Sequence, residues 1–295
     1  MKLSTSVSPA WRNLDLSEEK RLARLRACGF RYLCDEPDTL PASDVRAYAD
    51  ARRQMLRDAD IIPAKVRAAR GTGADELERM ILYCARLEAG ALVVPLLANE
   101  RWTRAEALEA NVGYLRALAP AARAHGVTLL IEHAGDYQQP YYAHSAMELN
   151  GLLDRADVGD RVGINLNIGN IGLTDLDIYP EIRLLGKRIY AVDASDNFFG
   201  MALARDRERE DLGLAPLMGF LDYDEVMRGL KEIGFDGAFN LRLNYPRVFP
   251  KNSRYVAEYR LNRFPAELLE SFTRWCASVC GHMFAAYGLT GRGEE

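Results

Sequence analysis

The chain has 295 residues, 48% of them hydrophobic, which suits one (β/α)8 barrel or two smaller domains with an ample core. A formal net charge of −4 argues against a nucleic-acid or anionic-membrane partner. The five cysteines (Cys28, Cys34, Cys84, Cys276, Cys280) form no CxxC pair, the first residues lack a hydrophobic signal core, and no apolar run approaches ~18 residues, so a cytoplasmic protein with reduced thiols and no membrane span is expected.

Lys2 to Val7 reads as a first strand. Ser17 caps a helix with Leu22, Leu25 and Cys28 on one side, and Gly29 closes it. Phe30 to Cys34 is a second strand, Ser43 to Leu56 an Arg- and Ala-rich helix, and Ala64 to Ala69, just after Pro63, a third strand. Arg70 at its end suits the surface better than an anion site. Asp75 to Ala89 is a helix whose face carries Leu77, Ile81, Cys84 and Leu87. Ala91 to Leu97 is a fourth strand, with Pro95 awkward inside it. Thr103 and Glu106 form the capping box of the longest helix, which Pro120 is expected to kink or restart and Gly126 to end.

Val127 to His133 (VTLLIEH) follows. A run this apolar is a strand covered on both faces, as in a parallel sheet, and its Glu132 falls at the carboxyl end, where parallel α/β folds do chemistry. After a helix from about Ser145 to Leu153, three strands repeat the arrangement. VGINLN ends at Asn167, with Asn170 three residues on; RIYAVD ends at Asp193, with Asp196 three residues on; GAFNLR ends at Arg242. A short helix over Tyr179 to Leu185 separates the first two. The connection from Ala194 to Pro216 carries the charged run RDREREDLG, a solvated surface or a lid over the site. Asp222 and Glu225 open another helix with a capping box, and a final helix over about 265–287 forms a C-terminal extension.

Helix, glycine and strand follow one another directly at Gly29, Gly90, Gly126 and Gly234, the αβ joint of a βαβ array. Eight strands alternating with helices and no linker predict a single α/β domain over 1–295, a (β/α)8 TIM barrel. A doubly wound sheet would call for a glycine-rich phosphate turn after the first strand, and no GxGxxG stands there.

The strand ends resemble those of the sugar isomerase/epimerase-like, or xylose isomerase-like, TIM barrels, a superfamily that includes ketose 3-epimerases, hydroxypyruvate isomerase, inosose dehydratase and endonuclease IV. The likeness runs from about Leu16 to Arg242 and rests on LLIEH, VGINLNIGN, IYAVDASD and GFDGAFNLR. It implies an isomerase or epimerase of carbohydrate metabolism, with Mn²⁺ or Mg²⁺ held by Glu, Asp, His and Glu, and relatives that are often dimers or tetramers. This chain keeps only Glu132 of that set. Asn167 stands for the Asp, Asp193 for the His and Arg242 for the last Glu, and Asn170 replaces a substrate-contacting His. A guanidinium offers no lone pair and stays protonated, so Arg242 is expected to take the metal's charge role and pair with Glu132 or Asp193. The degenerate site is therefore expected to need no cofactor; an ion, if held, would sit on Glu132, Asn167 and Asp193.

The expected function is proton transfer (isomerisation, epimerisation or dehydration) on a small polyol, sugar or hydroxy acid. Glu132 is the base, Arg242 the oxyanion partner, and Asp193 a second acid or the group that orients Arg242. Asn167, Asn170, His133, Asp196, Trp102 and Tyr141 are the candidate substrate contacts, with Phe198 and Phe199 above them. By strand alternation His133 points away from the side of Glu132. The competing expectation is an inactive barrel that binds a ligand or a partner.

Overall fold

The computed structural model describes every residue except 8, 13, 42, 70, 134–142, 173, 175–176, 197–214, 244–265 and 291–295. Eight parallel strands close into a barrel in sequence order: β1 (Lys2–Ser6), β2 (Tyr32–Asp35), β3 (Ile62–Arg67), β4 (Ala91–Val93), β5 (Thr128–Ile131), β6 (Val162–Asn167), β7 (Ile189–Ala194) and β8 (Ala238–Leu241). Around and above them run α1 (Pro9–Arg12), α2 (Glu18–Ala27), α3 (Val45–Asp58), α4 (Ala74–Leu87), α5 (Arg104–Ala124), α6 (Ala146–Ala156), α7 (Ile168–Ile171), α8 (Ile178–Leu185), α9 (Tyr223–Glu232) and α10 (Ala266–Tyr287). This is the (β/α)8 architecture that the alternation of apolar runs predicts. None of the described helices is long and apolar enough to cross a membrane.

The joints follow their local chemistry. Gly29, Gly90, Gly126 and Gly234 all adopt positive φ, between 69° and 102°. Ser17, Asp44, Thr103, Ser145 and Asp222 each accept a backbone N–H at a helix start, and Thr103 with Glu106 forms the full capping box. Gly237 is required for a different reason. A Cβ there would come within 2.3 Å of the Tyr190 carbonyl, so β8 can approach β7 only without a side chain at this position.

Three expectations need correction. Pro120 does not restart its helix: α5 runs unbroken from Arg104 to Ala124. The missing proline donor removes one hydrogen bond, but Leu118, Ala119 and Ala122 are buried on either side of it and packing holds the helix. β4 ends at Val93, so Pro95 lies beyond the ladder. β3 begins at Ile62 rather than Ala64 and takes in Pro63. The β2–β3 register shifts between Leu33 and Cys34, with Pro63 and Lys65 as their partners, and an irregularity of this kind is where a strand tolerates proline.

Two apolar regions separate inside from outside. The main core lies between the sheet and the helices. Ala91, Val93, Leu130 and Ala191 form a second cluster of their own, the apolar lower filling of the barrel. Above this plug the strand interiors turn polar.

Candidate active site

Counting by twos along each strand leads from the apolar plug to the site. Leu130 leads to Glu132 and Ala191 to Asp193, while Lys65 and Arg67, Asn165 and Asn167, and Asn240 and Arg242 occupy the equivalent alternate positions on β3, β6 and β8. The β6–β7 and β7–β8 registers pair Asn167 with Asp193 and Asp193 with Asn240, which sets these side chains at one height.

Asp193 is fully buried and saturated. Its Oδ1 accepts from Lys65 Nζ at 2.6 Å and Asn240 Nδ2 at 2.9 Å. Its Oδ2 accepts from Asn165 Nδ2 at 3.0 Å and from the Arg67 guanidinium. Glu132 is held more unevenly. Its Oε2 accepts from Asn165 Nδ2 at 2.7 Å and Arg67 Nη2 at 2.8 Å. Its Oε1 accepts from Asn167 Nδ2 at 3.1 Å and lies 4.0 Å from Arg242 Nη1. Lys65 also donates to Asn165 Oδ1, and Arg67 Nε lies 3.7 Å from Glu36 Oε1, which accepts from Ser6 Oγ at 3.0 Å. Lys65 and Asp193 are sealed beneath the others. Arg242, Glu36, Arg67 and Glu132 keep some exposure, with 30% for Arg242 the highest.

The electrostatics follow from this cage. Burial pushes the Asp193 carboxyl up, but Arg67 and Lys65 overcome that and hold it far below the ordinary carboxylate range. Burial, and after it the charge of Asp193, likewise oppose ionisation of Glu132, but Arg67, by charge and hydrogen bond, and the charge of Arg242 together hold its carboxyl below the ordinary range. Both groups stay anionic at neutral pH. The Cys34 thiol, behind Glu36, is pushed up to about 12 by burial, which makes it inert.

The sequence candidates fare differently. Glu132, Asn167, Asp193 and Arg242 meet in one cluster. Arg242 reaches Glu132 only at the 4.0 Å edge of an ion pair and not with the two-point geometry expected of it, while Arg67 bridges both carboxylates. Asn170 donates to the His133 carbonyl at 2.9 Å and reaches Glu132 Oε1 at 3.5 Å. Asp196 is fully buried and spends its carboxylate on the N–H groups of Gly219 and Leu221, at 2.9 and 3.1 Å, where it shapes the connection before α9. Trp102 is half-buried between β4 and α5. Tyr141, Arg70, Phe198, Phe199 and the charged run 205–213 lie outside the described residues. Lys65, Arg67, Glu36, Asn165 and Asn240 were missed by the sequence reading; alternation counted back from Asn167 and Arg242 points to the last two.

His133 is 3% exposed, its Nε2 has no hydrogen-bond partner among the described residues, and burial pushes its pKa down to about 4. The unfolded chain therefore takes up this proton near the free value of 6.5, the folded one only near 4. The stability His133 contributes is complete above that upper value and lost as pH falls toward the lower one. Denaturant titrations are expected to show a loss on the order of 3 kcal/mol over this window, from ~1.4 kcal/mol per pKa unit, and His133→Gln is expected to flatten it.

The donor set does not suit a divalent cation. Each oxygen of Asp193 already takes two donors, and the Arg67 guanidinium lies between the two carboxylates. Among the described residues no three His, Cys, Asp or Glu side chains form a metal-holding group.

A family model described as xylose isomerase-like TIM barrel matches residues 22–263. Inosose isomerase of Bacillus subtilis (strain 168) is 26% identical over 179 residues, 59% of this chain and 61% of that protein. The chain thus spans about three-fifths of the length of that curated relative. Among solved structures, D-psicose 3-epimerase with D-tagatose from Clostridium cellulolyticum H10 superposes with a TM-score of 0.74 at 14% identity, over 96% of this chain and 99% of that one. The IOLI protein with a zinc atom bound superposes with a TM-score of 0.70 at 19% identity, over 97% and 99%. At these identities the structural likeness concerns the fold.

Proposed function

The chain belongs to the xylose isomerase-like TIM-barrel family, and from that premise we propose that it is a sugar isomerase- or epimerase-like enzyme that works by proton transfer, with its own cations where relatives hold a divalent ion. The substrate in this reading is a small polyol, sugar or hydroxy acid. One observation carries it: Glu132 has Oε2 locked by Arg67 and Asn165, while Oε1 faces the partly exposed Arg242.

Glu132 Oε1 takes the proton from the carbon next to a carbonyl, and the C–H electron pair moves into an enolate whose oxygen the Arg242 guanidinium stabilises. The protonated Glu132 then returns the proton to a substrate carbon. Asp193 is sealed and saturated, so it serves as the anchor that holds Arg67 against Glu132 rather than as a second acid. Arg67 and Lys65 together neutralise the two buried carboxylates, which leaves Arg242 for the substrate.

A second reading, a non-catalytic ligand-binding barrel, draws on the lowered pKa of Glu132, since a carboxylate held well below its ordinary range is a weak base. Deuterium wash-in from D2O separates the two. With EDTA present, the enzyme is expected to place deuterium on the carbon next to the carbonyl of a ketose, an inosose or an oxo acid, and Glu132→Gln to abolish this. Wash-in by neither protein across such a panel favours the second reading; wash-in that EDTA stops and Mn²⁺ restores overturns the metal-free one.

A further inference from the structure

The cations of the cluster are not equally engaged. Lys65 is fully buried against Asp193 and Asn165. Arg67 Nη2 is shared between Glu132 and Asp193. Arg242 stands apart. Its nearest anion among the described residues is Glu132 Oε1, at the 4.0 Å outer edge of an ion pair, and its guanidinium makes no hydrogen bond within them. It is also the most exposed cation of the group, on the carboxyl-end side of the barrel. A planar fork of donors left unfilled beside the reacting carboxylate is a receptor for a planar anion.

We infer that the substrate carries a carboxylate, which Arg242 grips through two parallel N–H···O bonds. The ligand class is thus a carboxylated polyhydroxy compound, an aldonate or uronate, rather than a neutral sugar. This deepens the proton-transfer reading and rests on it. Arg242 Nη1 and Glu132 Oε1 are 4.0 Å apart, so a carboxylate held by the fork brings its own α-carbon against the base, and the enolate oxygen that Arg242 stabilises is one of that carboxylate's. The adjacent negative charge of Glu132 also sets the charge of the ligand. One guanidinium beside one carboxylate suits a monoanion, and a phosphate dianion would meet repulsion without a second free cation.

Paired probes of like size test this in the intact protein by calorimetric titration: glucuronate against glucose, and gluconate against glucitol, with glucose phosphate as a dianionic control. The acids are expected to bind about tenfold or more tightly than their neutral partners, the scale of a charge-assisted bidentate contact. Arg242→Gln is expected to erase the preference, and Arg242→Lys to retain part of it. Circular dichroism of the variants checks that the barrel is intact. Equal binding of acid and neutral probe, a preference that survives Arg242→Gln, tighter binding of glucose phosphate, or no acid binding at all would each overturn the inference. Because this reads binding at Arg242, its failure is distinct from failure of deuterium wash-in, which reads chemistry at Glu132.

Discussion

Removing the guanidinium of Arg67 is expected to turn the strand-end cluster into a cation site. Arg67 touches Glu132 Oε2 and Asp193 Oδ2 with a single nitrogen, so both oxygens lose a cation when it goes. In Arg67→Ala, two carboxylates then face each other across a partly dry gap. Breaking a buried ion pair from one side costs roughly 3–5 kcal/mol, and the variant is expected to lose stability of that order in EDTA. The gap it opens is lined by the oxygen ligands that a hard divalent ion requires. Mn²⁺ is therefore expected to restore stability to the variant, by ~2.7 kcal/mol at a hundred times its dissociation constant, and to leave the unaltered protein unchanged. Adding Arg242→Glu removes a second nearby positive charge, leaving Lys65 against Asp193, and is expected to tighten the ion further. The check is thermal unfolding of the three proteins with EDTA and with Mn²⁺. Stabilisation of the unaltered chain by Mn²⁺ would show that Arg67 does not hold the ion's place.

Lys65→Met is expected to produce a comparable loss with no metal rescue. The methionine keeps most of the aliphatic stem, so the change removes chiefly the ammonium. That ammonium lies 2.6 Å from Asp193 Oδ1, and neither side chain has any exposure. Asp193 retains Arg67, Asn165 and Asn240, but one buried oxygen loses its charged donor and Asn165 Oδ1 loses its partner. The expected cost is roughly 3–5 kcal/mol in urea unfolding, well above that of an exposed, solvent-screened pair such as Arg26 with Asp60. A loss as small as that of the surface pair would mean that water reaches Asp193. With Asp193 less firmly anchored, Arg67 is freed to swing, so wash-in at Glu132 is expected to fall as well.

The barrel was legible because its signals are local. Four glycines at positive φ mark the αβ joints, side-chain caps mark the helix starts, and apolar runs ending in Glu132, Asn167, Asp193 and Arg242 mark the strand ends. Pro120 and Pro63 misled because a proline inside an element is tolerated where packing or a register shift absorbs the lost donor. The spacing of Asp196 from Asp193 suggested a site residue, and its carboxylate also accepts the N–H groups of Gly219 and Leu221, which spacing does not reveal.

The sequence by itself determined which strands bear polar residues at their carboxyl ends, and their resemblance to the family implied that Arg242 stands where relatives place a metal-binding carboxylate. Only the closed barrel decided which cation meets which anion. Lys65 and Asp193 are 128 positions apart, on strands that are not neighbours, and come together because the sheet curls until opposite walls face each other. A lysine and an arginine at alternate positions of one strand look like an exposed edge in the linear chain. Enclosed in a low-dielectric interior, the same two charges become the fixed counter-ions of Glu132 and Asp193, and Arg242 is left open to the ligand.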